Sequence, residues 1–247
     1  MTNTMARRMS AGLLLACWLL VSGAQAQTIR AVTEATPWTY LRAGKPAGSA
    51  TEIVEMTLQR GGFSDYRLSL YPWARAYDMA LHEPGVLIFM IARTPAREPL
   101  FKWVGEFMEM NYHLFRLKGR DEIGVANLAD AQRYTIGVLR DDVRHQYLQA
   151  KGHARLVVSA ESIDNFRKLL SRQVDLVALT ETEATSLCAQ LRIDCGRIEK
   201  VHMLREMSTG LYMAYSATTP DSIVERTRLA FDQVKASGAL ERLSQEK

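Results

Sequence analysis

LYPWARAYDMALHEPGVLIFMIARTPAREPLFKWVGEF, residues 70–107, decides the fold of this 247-residue chain. Val86 to Ile91 is an apolar run between Pro84-Gly85 and the polar Arg93-Thr94-Pro95, the pattern of a strand buried on both faces, as in a parallel sheet. Residues 67–71 read as an earlier strand and 74–81 as a helix, so Arg97 stands just past a strand's carboxyl end. Open α/β sheets bind ligands there, because strand ends and helix amino termini leave a crevice lined by free N–H groups. A guanidinium in that crevice suits a bidentate carboxylate. A solvated loop arginine is the plain alternative, and the wider pattern weighs against it.

Working outward, residues 29–33 read as a first strand and 50–59 as a helix stopped by Gly61-Gly62, which completes β-α-β-α-β. The aromatic- and Met-rich run 102–117 is long enough for one extended strand that leaves this sheet and crosses to another. After the polar break Lys118-Gly119-Arg120-Asp121 the alternation restarts, with helices over 127–132, 142–150, 162–170 and 181–190 and strands over 135–139, 155–159 and 174–179. Beyond the segment 197–204, an extended run at 211–216 precedes a helix that opens at Pro220 and ends near Ser237-Gly238. The fold class expected is α/β: two lobes, each with an open, mostly parallel sheet, joined by two crossover segments.

This order of elements, with Thr94-Pro95-Ala96-Arg97, Ile136-Gly137-Val138-Leu139, Val174-Asp175-Leu176-Val177-Ala178 and the terminal helix, resembles a family of periplasmic solute-binding proteins. These are the amino-acid-binding proteins that serve ABC transporters (bacterial extracellular solute-binding protein family 3, type II periplasmic binding protein fold). The resemblance spans nearly the whole chain after the first 26 residues; each motif is weak alone and their order is specific. It implies one lobe from 27–115 plus 211–247, a second from 116–210, and hinged closure on a small molecule. It also implies that Arg97 holds a ligand carboxylate.

Other candidate ligand contacts follow from position. Thr94 adds a hydroxyl beside Arg97, and Trp38 and Trp73 stand at element edges where an aromatic can flank an apolar or cationic ligand part, or simply fill a core. Arg75, at the start of a helix, is read either as a cleft residue or as a surface ion-pair partner; Glu34 follows the first strand. Two departures from the family pattern stand out. Where typical members carry Gly-Thr-Thr at the helix after 135–139, this chain has Arg140-Asp141-Asp142-Val143, which caps the helix but puts negative charge at its anion-friendly end. Where they carry an acidic residue for the ligand's ammonium, it has Thr180, which leaves Glu181 as a substitute by a one-residue shift or a ligand that lacks an α-ammonium. The structural reading, Thr180 capping a helix with Glu183 at its third position, is preferred.

Arg7 and Arg8, the apolar run from Ala11 to Val21 and Ala24-Gln25-Ala26 form a secretory signal over 1–26, so a periplasmic product starting at Gln27 is expected. Acylation at Cys17 is the less favoured alternative, since Trp18, Leu19, Leu20 and Val21 extend the apolar run. No later segment nears the ~20 apolar residues of a membrane span. In an oxidising compartment Cys188 and Cys195 are favoured to pair, although spacing leaves two separate thiols open. The histidines His82, His113, His145, His153 and His202 show no ligand spacing, so neither metal nor cofactor is implied. Without Arg7 and Arg8 the formal charge of +4 becomes about +2, with no basic block and no support for nucleic-acid binding.

The function expected is capture of a small carboxylated, amino-acid-like ligand for an ABC permease or a membrane sensor. The alternative is an enzyme on the same fold resembling the exported cyclohexadienyl dehydratases, with Glu181, Asp141 or Glu34 as its acid/base.

Overall fold

The apolar run past Pro84-Gly85 lies at the centre of a five-stranded sheet. The computed structural model describes residues 28–207 and 209–241. Its first half contains strand β1 (Ile29–Thr33), the hairpin β2 (Tyr40–Arg42) and β3 (Lys45–Ala47), helix α1 (Ser49–Arg60), β4 (Tyr66–Leu70), α2 (Trp73–His82), β5 (Val86–Ala92) and β6 (Phe101–Met110). Next come β7 (His113–Leu117), β8 (Ile136–Leu139), α3 (Val143–Ala150), β9 (Leu156–Ser159), α4 (Ser162–Leu170), β10 (Leu176–Leu179), α5 (Glu181–Leu191) and β11 (Ile198–Met203). Strand β12 (Thr209–Ser216) and helix α6 (Asp221–Ala236) follow.

One sheet has the order β4-β1-β5-β12-β6 and the other β11-β7-β10-β8-β9. Within each, three strands run parallel, β4, β1 and β5 in the first and β10, β8 and β9 in the second, and the other two are antiparallel additions. All seven residues of β5 are buried, as its unbroken apolar sequence requires when helices or strands cover both faces.

The run 102–117 is two strands in two sheets rather than one long crossing strand. The chain passes between sheets at Asn111-Tyr112, slightly before the lobe boundary expected at 115, which falls inside β7. The return passage lies between β11 and β12, and the Leu204 N–H donates to the Tyr112 carbonyl oxygen at 2.8 Å, tying the two crossings together. The hairpin β2–β3 has no counterpart in the sequence reading. Its turn places Ala43 and Gly44 both at positive φ, 51° and 76°, and only the glycine announces such a turn in sequence.

Cys188 and Cys195 are joined in a disulfide that fastens the end of α5 to the turn after it. The export segment expected over 1–26, including Cys17, lies outside the described residues. Among the described residues no helix is long and apolar enough to cross a membrane.

Candidate functional site

A cavity of about 200 Å³ opens between the carboxyl ends of the parallel strands. The first sheet and its loops supply Glu34, Trp38, Tyr40, Trp73, Met90 and Arg97; the second contributes Asp142, Arg144, Thr180 and Glu183, with Glu161 and Ser162 from the start of α4. Tyr112, at the crossing, forms part of the wall.

Three local devices place these side chains. Gly48 adopts φ 109°, and a Cβ there would stand 2.4 Å from the Trp38 carbonyl oxygen. That oxygen accepts from the Ala50 N–H at 3.1 Å, so the close approach that only glycine allows fixes Trp38 at the start of α1. In β5 the register against β12 slips: Ile91 faces Tyr212 and Phe89 faces Met213. Met90 is the extra residue of that bulge, at φ 60°, and its side chain lines the cavity. Asp141 also has positive φ, 57°, which aims its carbonyl back at the first sheet.

That carbonyl collects three donors: the Trp73 indole Nε1–H at 3.0 Å, the Arg97 Nη2–H at 3.1 Å and the Gln146 side-chain amide at 3.2 Å. Arg97 also donates from Nε to the Gln146 Oε1 at 3.1 Å and from Nη1 to the Ala92 carbonyl at 3.3 Å. Its side chain is 1% exposed, and its Cζ lies 4.9 Å from the Tyr77 ring centroid and 5.7 Å from that of Trp73. Every hydrogen-bond partner of the Arg97 guanidinium among the described residues is neutral. A buried guanidinium has five N–H donors, and three are engaged here.

Arg144 presents the opposite case. It is buried, its Nε bonds the Asp142 carboxylate, and its Nη1 donates to Glu183 Oε2 at 2.8 Å and to the Ala178 carbonyl at 3.1 Å. Asp142 is also the amino-terminal cap of α3, accepting from the Arg144 N–H at 2.9 Å. Thr180 caps α5 as expected, its hydroxyl accepting from the Glu183 N–H at 3.1 Å. The Glu183 carboxylate turns to Arg144 instead of reaching back to close a capping box.

Glu34 is half-buried at the end of β1. Enclosure, then repulsion from Asp142, pushes its carboxyl well above the ordinary range; Arg144 works against this, while Glu183 and Glu161 add to it. A carboxyl raised on folding favours the native state when protonated, so stability falls as pH rises above the unfolded value of about 4.3. Glu34→Gln is expected to raise Tm at about pH 7.5 and to leave it unchanged near pH 4. Calorimetry at the two pH values checks this, and an equal gain at both would contradict it.

The structure brings Arg97, Trp73, Trp38, Glu34 and Thr180 to one cavity and leaves three other candidates away from its lining. Arg75 is exposed, with its guanidinium 4.4 Å from the Tyr71 ring, because its place on α2 faces away from the crevice. Glu181 is exposed and pairs with Lys200 at 2.7 Å; the first position of α5 points outward. Thr94 shapes the turn that carries Arg97, its oxygens accepting from the Arg97 N–H, without reaching the cavity. Asp141 contributes its carbonyl, not its carboxylate. Arg144, Glu161, Tyr112 and Met90 were missed by sequence reasoning, and Glu183 was read only as a helix-capping residue. Among the described residues no cluster of His, Cys, Asp and Glu has the makings of a metal site.

No protein-family model matches this sequence, and no curated protein does. Solved structures do. A histidine kinase sensor domain with similarity to periplasmic binding proteins superposes with a TM-score of 0.77 at 17% identity, over 88% of this chain and 94% of its own. An ancestral arginine-binding protein bound to arginine gives 0.75 at 17% identity, over 89% and 97%. The arginine-, lysine-, histidine-binding protein ArtJ from the thermophilic bacterium Geobacillus stearothermophilus gives 0.75 at 15%, over 89% and 94%. At such identities the likeness is one of fold: this chain has the two-lobed α/β fold of periplasmic binding proteins, with two open sheets.

Proposed function

We propose that this is an exported, non-enzymatic solute-binding protein, whose two lobes meet at the crossings Asn111-Tyr112 and between β11 and β12. It closes on a small carboxylated solute of amino-acid size and delivers it to an ABC permease. The observation that carries this reading is Arg97: a buried guanidinium facing a cavity with only neutral hydrogen-bond partners, where an anion from outside completes its coordination. Trp73 and Trp38 flank the solute, Glu34 and Thr180 offer polar contacts, and the signal over 1–26 directs the chain to the periplasm. The likeness to arginine-, lysine- and histidine-binding proteins supports capture for transport. The likeness to a histidine kinase sensor domain supports a second reading, presentation of the solute to a membrane sensor.

Thermal-shift measurements on residues 27–247 against amino acids, keto acids, polyamines and small dicarboxylates test the proposal. A solute at 100 times its Kd adds about 2.7 kcal/mol, which in a chain of this size moves Tm by about 5–10 °C. The expected hit carries a carboxylate. Stabilisation by polyamines alone would overturn the reading, and consumption of prephenate would replace it with the dehydratase-like one, Glu34 then being the acid.

A further inference from the structure

The two buried arginines of the cavity differ in what surrounds them. Arg144 is held as a bound guanidinium ligand would be: Asp142 on Nε, Glu183 and the Ala178 carbonyl on Nη1, and the Tyr112 ring 5.5 Å from Cζ. These partners come from four separate places, the cap of α3, the end of β10, the first turn of α5 and the crossing at Tyr112. They form an acidic, aromatic-walled receptor for a cation, and its occupant is a side chain of the protein itself. Among the described residues Arg97 has no carboxylate partner.

We propose that Arg144 fills the cation half of the cavity from within and is thereby the residue that sets specificity, so that the solute is a small carboxylate without a cationic group, gripped by Arg97. A solute ammonium entering at Asp142 and Glu183 has to displace a guanidinium already paired twice and buried, whereas a carboxylate at Arg97 displaces nothing charged. Thr180 offers no charge to an ammonium and its hydroxyl already caps α5. Glu34, crowded by Asp142 and Glu183, is held toward its neutral acid form, in which it donates a hydrogen bond to a keto or carboxylate oxygen. Keto acids and dicarboxylates fit this asymmetry better than amino acids do.

The inference rests on the cavity being a solute site, and two arms separate it from that reading. In the first, wild-type protein is titrated with pairs of equal carbon skeleton, 2-oxoglutarate against L-glutamate and 4-methyl-2-oxopentanoate against L-leucine. At least tenfold tighter binding of the keto acid is expected in any pair that binds; equal or tighter binding of the amino acid would overturn the proposal. In the second, Arg144→Ala is heated with millimolar methylguanidinium. A rise in Tm in the variant and none in the wild type is expected, because the vacated receptor takes up the free cation. If the variant does not fold in buffer, recovery of its circular dichroism on refolding with methylguanidinium is the equivalent readout. No response in either measurement sinks the proposal. If no carboxylate in the first arm binds, the solute-binding reading fails there, and the methylguanidinium arm still decides the role of Arg144.

Discussion

Arg97→Met is expected to weaken binding of any carboxylated solute by at least a hundredfold while leaving a folded protein. Charge-assisted hydrogen bonds contribute about 1.5–3 kcal/mol each, and a bidentate grip uses two. Their loss corresponds to about 3–6 kcal/mol, or two to four orders of magnitude in Kd. Stability responds differently. Methionine keeps most of the buried volume against Tyr77 and Trp73 and removes a buried charge that no carboxylate compensates directly. The Asp141 carbonyl keeps its bonds from Trp73 and Gln146, while the Ala92 carbonyl and the Gln146 Oε1 lose the donors that Arg97 supplied. A change in unfolding free energy within about 2 kcal/mol is the expected balance, in line with sites that trade stability for function. Urea unfolding and calorimetric titration of the same preparations read the two quantities. A large stability loss with unchanged affinity would make Arg97 a structural fastener between the lobes.

Trp73 shares an acceptor with Arg97. It reaches from α2 to the Asp141 carbonyl on the far side of the cavity, and Arg97 bonds the same oxygen. Asp141 presents that oxygen through a backbone conformation that non-glycine residues seldom adopt, a strain typical of functional turns. Arg97 and Trp73 thus share one acceptor across the cavity, and the bonds to Asp141 and Gln146 fix the direction of the guanidinium.

The buried strand β5 and the position of Arg97 beyond it were legible because both depend on local composition. Helix α4 was read at Ser162–Leu170 without error for the same reason: Glu161 precedes a clean amphipathic period. The break of 102–117 into two strands was not legible. Asn111 is a lone turn-compatible residue inside a long apolar and aromatic run, too weak a signal by itself, and the bend exists because the two halves pair with different sheets. Arg75 and Arg144 were indistinguishable by sequence, each near the start of a short helix. What buries Arg144 is Glu183, 39 positions further along, together with the Ala178 carbonyl, and neither distance is visible in a local window. Acidic residues at Asp141 and Asp142 were recognised as a departure; that one would present a carbonyl and the other hold an arginine needed the coordinates.

Asp142→Ala is expected to be strongly destabilising. The side chain is 8% exposed and does two things, capping α3 and pairing Arg144. Loss of a cap costs about 1 kcal/mol, and removing one partner of a buried ion pair about 3–5 kcal/mol. Together they lower Tm by about 10 °C or more in a chain of this size. Burial alone would raise the Asp142 carboxyl, but Arg144 beside it and Arg97 farther off hold it below the usual carboxylate range. A carboxyl lowered on folding stabilises the native state above its unfolded value of about 3.9, and that contribution is lost as pH falls through the folded value. The deficit of Asp142→Ala is therefore full at neutral pH and shrinks in acid. Asp142→Asn, which keeps an oxygen for the cap and loses the charge, should fall between the two. Pairing Asp142→Ala with Arg144→Met should recover part of the loss, since no guanidinium is then left half-paired, though Glu183 loses its partner. Urea midpoints of the wild type, Asp142→Ala, Asp142→Asn, Arg144→Met and the double variant at about pH 7 and pH 4 check this ordering. Additive losses in the double variant would show that Asp142 and Arg144 act independently, against the paired geometry in which they are found.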